Sequence, residues 1–186
     1  MSISLSVFIT EPLNIEVAIF SAHANDIFNF LLGGHCEKLS ITFQNSAGLN
    51  IERIDPNTDE LYRYIETNIM HSGGYISYAY DEHWKYHSDK ETYEFCITEI
   101  NFNPDNALFA IQLSMLIAVA QHSKSQFIND AHGVFFETND DKININDILD
   151  FSPSRKPDNT ECPLRLLYNK LKISRSIFTV RSQWPE

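Results

Sequence analysis

The chain has 186 residues, of which 43% are hydrophobic and 12% aromatic: enough for one real core and too apolar for wholesale disorder, so one domain over residues 1–186 is expected. Its formal net charge is -11 and unevenly spread: from Pro163 onward five of the 14 bases face one of the 25 acids, leaving nine bases against 24 acids in residues 1–162, a body near -15 and a tail near +4. So acidic a body repels nucleic-acid phosphates and anionic lipid and attracts a basic protein, besides keeping the chain soluble.

Ser2–Thr10 alternates β-branched or aromatic residues with serines and reads as a first strand, ended by Pro12. Met1–Phe20 lacks a basic leader and carries Glu11 and Glu16, unlike a signal peptide. Val17–Leu32 is apolar on several faces, with Asn25 or Asp26 as the expected cap of a helix that Gly33-Gly34 terminates. Lys38–Gln44 and Leu49–Ile54 read as a hairpin around the turn Asn45-Ser46-Ala47-Gly48. A helix is expected to open at Pro56-Asn57-Thr58-Asp59, because Leu61, Ile65 and Ile69 recur at helical spacing and Asp59 and Glu60 suit its first turn.

Tyr75–Tyr80 and Thr92–Phe102 are strands rich in Tyr, Phe and Ile, joined by a polar and aromatic hairpin loop, Asp81–Glu91. Ala107–Gln121 is apolar nearly all round and predicts a buried central helix. It is broken by Gln112 and Ser114 and is too short to span a bilayer. His122, just beyond it, would favour the helix C-terminus when protonated. Gln126–Ile128 and Val134–Glu137 predict another hairpin, Asn146–Phe151 a short helix, Leu164–Lys172 a last helix started by Pro163, and Ile177–Val180 a final strand. Strands and helices without a βαβ rhythm predict an α+β fold, a mixed or antiparallel sheet with helices packed on it. The basic segment 163–186 is expected to pack on its own acidic body.

Candidate chemistry is sparse. Cys36, Cys96 and Cys162 form no C-x-x-C pair, and their odd number suits a reducing, cytoplasmic compartment. His83 and His87 are four apart with acids nearby, a spacing that can bind zinc on a helix, but Trp84 stands where a zincin has Glu. The same segment reads better as a contact surface: Trp84 and Tyr86 offer large contact area, and Asp81, Glu82, Asp89 and Glu91 surround them with charge. Gly33-Gly34 and Gly73-Gly74 match no phosphate loop, Glu94 and Glu99 fall on opposite faces of one strand, and Asp130 suits a turn better than a catalytic acid. The residues thus require no cofactor and no catalytic group.

At Ala107–Phe136 the pieces LFAIQLSMLIAVAQ, HSKSQ and FINDAHGVFF form an apolar helix, a polar exit and a strand-turn-strand with Asp and Gly. This pattern, about a sixth of the chain, resembles that of small bacterial immunity proteins of polymorphic toxin systems. The resemblance implies a non-enzymatic inhibitor that binds a cognate protein toxin, often a basic one, by covering its active site or blocking its activation. Two other readings stay open: a metal-dependent hydrolase using His83, His87 and a nearby carboxylate, and an adaptor subunit whose basic tail docks on an acidic neighbour.

Overall fold

A computed structural model describes residues 4–9, 13–32, 41–45, 47–54, 61–66, 75–80, 93–98, 106–130, 142–150, 169 and 171. The fold is α+β, and every strand pairing among the described residues is antiparallel. The strands are β1 (Ser4–Ile9), β2 (Ile15–Glu16), β3 (Ile41–Gln44), β4 (Asn50–Ile51), β5 (Arg53–Ile54), β6 (Leu61–Glu66), β7 (Tyr75–Tyr80), β8 (Tyr93–Thr98), β9 (Phe127–Asn129) and β10 (Lys142–Asn144). The helices are α1 (Val17–Leu31), α2 (Asn106–His122) and α3 (Ile145–Asp150).

Among the described residues eight strands form one sheet in the order β10-β9-β1-β8-β7-β6-β3-β4, while β2 and β5 pair separately. β1 is inserted between β8 and β9, pairing residue for residue with β8 from Ser4↔Thr98 to Ile9↔Tyr93. Leu5 and Val7, two residues apart, bury the same face of β1. α2 packs on β1, β8 and β9, and α1 packs on α2 and β3.

The central helix behaves as its composition demands. All residues from Ala110 to Ala120 are buried, the polar Gln112 and Ser114 included. Ser114 Oγ donates back to the Ile111 carbonyl at 2.7 Å, so its hydroxyl enters the core without losing a hydrogen bond. At the helix exit Ser125 N donates to Ala120 O at 2.8 Å and Lys124 N to Gln121 O at 3.4 Å, the paired bonds of a Schellman cap. Lys124 holds the left-handed position with φ of 57°, where glycine is the usual occupant.

α1 begins earlier than expected. Val17, Phe20, Ala24, Ile27, Phe28 and Leu31 are buried at helical spacing, so the amphipathic stripe runs from Val17, and Asn25 and Asp26 lie mid-helix rather than at its cap. The helix follows β2 directly: Glu16 makes no side-chain cap, and Val17 N instead donates to Glu52 O at 2.8 Å. A tertiary contact thus satisfies one of the first-turn donors that a local cap would serve. Under the helix, the fully buried Phe20 and Phe43 rings meet edge-on with centroids 5.8 Å apart.

The hairpin of β3 and β4 forms as expected, with Asn45 organising its turn. Asn45 Oδ1 accepts from Ala47 N at 3.1 Å and Leu49 N at 3.0 Å, and Gly48 takes φ of 75°. The single strand expected over Leu49–Ile54 is divided at Glu52, with β4 on β3 and β5 on β2.

The helix expected from Pro56 through Ile69 is corrected: Leu61–Glu66 is strand β6, paired with β3 and β7. A spacing of four is two strand periods as well as about one helical turn, and Tyr62, Tyr64 and Ile65 favour the pleated alternative. β7 and β8 lie within the expected strands and pair from Tyr75↔Thr98 to Tyr80↔Tyr93. β9 has β1 and β10 as its neighbours, so the place expected for Val134–Glu137 beside it is taken by Lys142–Asn144. Residues 134–137 themselves lie outside the described residues.

α3 matches the expected short helix, and Asn144 Oδ1 accepts from Asn146 N at 2.9 Å as its cap. Asn169 and Leu171, inside the expected last helix, are helical, and Leu171 is buried. The rest of the segment 151–186 lies outside the described residues.

The two left-handed positions predict opposite outcomes. Gly48→Ala meets no atom within 4 Å, so its cost is backbone strain alone, about 1 kcal/mol. Lys124→Gly relieves the same kind of strain and is expected to stabilise, by less than about 1 kcal/mol, because glycine also gains freedom in the unfolded chain. Urea denaturation of the two variants checks both signs.

Candidate functional site

Two surface features stand out among the described residues, and both are built on α1. The first is an open groove of about 880 Å³ between α1 and the β4–β5 stretch. Glu16, Val17, Ala18, Ser21, Ala22, Asn25 and Asp26 line it from the helix side, and Ile41, Ile51, Glu52 and Arg53 from the strands. Small residues at Ala18, Ser21 and Ala22 leave the space, since longer side chains there would fill it.

The groove's charge is unbalanced. Arg53, its one base among the described residues, lies 3.8 Å from Glu16 and donates to Asn14 Oδ1. The carboxylates of Asp26 and Glu52 have no ion-pair or hydrogen-bond partner among the described residues. Both residues are exposed, so water solvates them until a partner displaces it.

Beside the groove, Ile19, His23, Asp26 and Phe30 follow one another at spacings of four, three and four, which puts them along one stripe of α1. Ile19 is 53% and Phe30 46% exposed, at the two ends of this stripe. The stripe therefore combines apolar contact area with an acid.

The second feature is a histidine pair that ties this stripe to the end of α2. His23 Nδ1 and His122 Nε2 are 2.9 Å apart, sharing one N–H, and the rings stand nearly perpendicular at 86° with centroids 4.8 Å apart. His122 is exposed overall, but partial desolvation of its ring, and then the neighbouring His23, push its pKa below the ordinary imidazole range. The helix C-terminus would favour a protonated His122, but these two effects outweigh it and favour the neutral ring.

The residues singled out from sequence fall elsewhere. Asp81, Glu82, His83, Trp84, Tyr86, His87, Asp89 and Glu91 lie outside the described residues, in the segment that links the paired ends Tyr80 and Tyr93. Glu94 stands in register between Phe8 of β1 and Ala79 of β7, while Glu99, Cys36 and Cys162 are outside the described residues. Asp130 is fully buried at the end of β9. Among the described residues no three His, Cys, Asp or Glu side chains gather as a metal-ligand set. No described helix is long and apolar enough to cross a membrane.

Sequence reasoning missed both features. The groove joins residues from 16 to 53, and the histidines are 99 positions apart. Asp26 carried the one usable signal, a charge within an apolar stretch, which suited a helix cap equally well.

In comparisons with known proteins, no family model, no curated protein and no solved structure matched this chain.

The histidine pair predicts a pH dependence. Protonation of His122 is penalised in the folded state, and its unfolded value is 6.5. Its contribution to stability is complete above that value and is lost as pH falls through the lower folded value. The thermal midpoint of chelator-treated protein should fall between pH 7.5 and 5, and His122→Gln should flatten that fall.

Proposed function

We propose that this chain is a non-catalytic binding protein for a basic protein partner, of the immunity type that neutralises a bacterial effector toxin. The observation that carries this reading is the groove beside α1. Among its described residues acids outnumber bases three to one, the base is already engaged by Glu16 and Asn14, and apolar Ile19 and Phe30 lie exposed on the adjoining stripe. A basic side chain entering the groove finds Asp26 and Glu52 available, and apolar residues around it find Ile19 and Phe30. This pairing of apolar anchors with charge is what partner surfaces use, the charges setting encounter rate and specificity.

The body charge near -15 supports the same reading at longer range, because it steers a basic partner and repels nucleic acid. The sequence resemblance of Ala107–Phe136 to immunity proteins, in its apolar helix and polar exit though not in the pairing of β9, supplies the toxin as the kind of partner. Asp81, Glu82, Trp84, Tyr86, Asp89 and Glu91 are a second candidate contact in this proposal, on the composition of that segment. A cytoplasmic location suits such an inhibitor, which meets its toxin inside the cell.

Co-expression with the product of the adjacent reading frame tests the proposal. The expected result is a stable complex and relief of that product's toxicity, with association slowing as salt rises. Asp26→Lys with Glu52→Lys should slow association on the order of tenfold at low salt. A neighbour neither toxic nor bound removes the toxin reading, and a complex indifferent to the double reversal removes the groove from it.

A further inference from the structure

We propose that His23 and His122 form a two-histidine site for a divalent transition metal, for which Cu(II) and Ni(II) are the probes. The proposal does not rest on the partner-binding reading, although His23 lies on the same stripe of α1 as Ile19 and Phe30.

Three observations carry it. The facing ring nitrogens, Nδ1 of His23 and Nε2 of His122, are 2.9 Å apart on nearly perpendicular rings. Metal–imidazole bonds of about 2.05 Å to both nitrogens across that gap subtend about 90° at the ion, the angle between neighbouring ligands of a tetragonal or octahedral site.

The site is also pre-formed. His23 sits mid-helix on α1, and His122 ends α2, whose last turn is closed by the bonds from Ser125 N and Lys124 N. The two helices pack on each other through their buried faces, so the ligands need little reorganisation to act together. Finally, His122 is exposed and His23 half-buried, which gives an ion access from solvent.

Binding needs no net loss of protons. In the neutral pair one facing nitrogen carries the shared hydrogen. That ring moves its N–H to its other nitrogen, and both facing lone pairs are then available to the ion. Among the described residues no third His, Cys, Asp or Glu completes a ligand set.

The test uses the full chain, treated with chelator and titrated with Cu(II) or Ni(II) in a non-coordinating buffer. The first equivalent of Cu(II) should show electron-paramagnetic hyperfine coupling to two imidazole nitrogens, and the first equivalent of either ion should raise the thermal midpoint, since metal bound to the native state alone stabilises it. His23→Gln and His122→Gln should each weaken the first equivalent on the order of 100-fold, as expected when a two-point attachment becomes one-point, and abolish its effect on the midpoint. Both positions are accessible to solvent, and circular dichroism checks that the variants fold. His83→Gln and His87→Gln should leave the first equivalent unchanged. Undiminished binding in His23→Gln and His122→Gln, or loss of the first equivalent in His83→Gln or His87→Gln, overturns the proposal and leaves His23 and His122 as a hydrogen-bonded pair only.

Discussion

A helix with no face for water sets the terms for the rest of this fold. Residues 110–120 of α2 are buried without exception, so the chain must cover the helix on every side. One side is met by β1, β8 and β9, and another by α1. The insertion of β1 between β8 and β9 follows the same need, because it carries Leu5 and Val7 into the wall beneath the helix. The polar positions within α2 are tolerated where the helix backbone can receive them, as Ser114 shows at the Ile111 carbonyl.

α1 is the complement of α2. It gives its apolar stripe to the core and leaves the opposite side to solvent, and the distinctive surface chemistry gathers there. The division between core and surface thus runs along a single helix. Small residues hollow a groove beside β4 and β5, acids line it, and His23 reaches the end of α2.

Legibility tracked the range of the interaction that decided each element. β1, β7, β8, α2 and the Asn45 turn were readable because composition or a local side-chain bond specifies them. Leu61 to Glu66 was misread because a spacing of four serves helix and strand alike, and only pairing with β3 and β7 breaks the tie. The start of α1 was missed because its first-turn donor is satisfied by Glu52 rather than by a local cap. β10 was missed because three residues, Lys142 to Asn144, carry too little pattern without β9 beside them.

The sequence by itself determined the class of fold, the buried central helix and the acidic excess, since these follow from apolar content, periodicity and a sum of charges. Tertiary structure alone decided which residues share a surface. It placed Asp26 and Glu52 along one groove and brought His23 and His122 within 2.9 Å across 99 positions of chain. The reason is physical: burial and periodicity act along a short stretch of chain, whereas a site is made by side chains whose proximity depends on how the helices and strands pack.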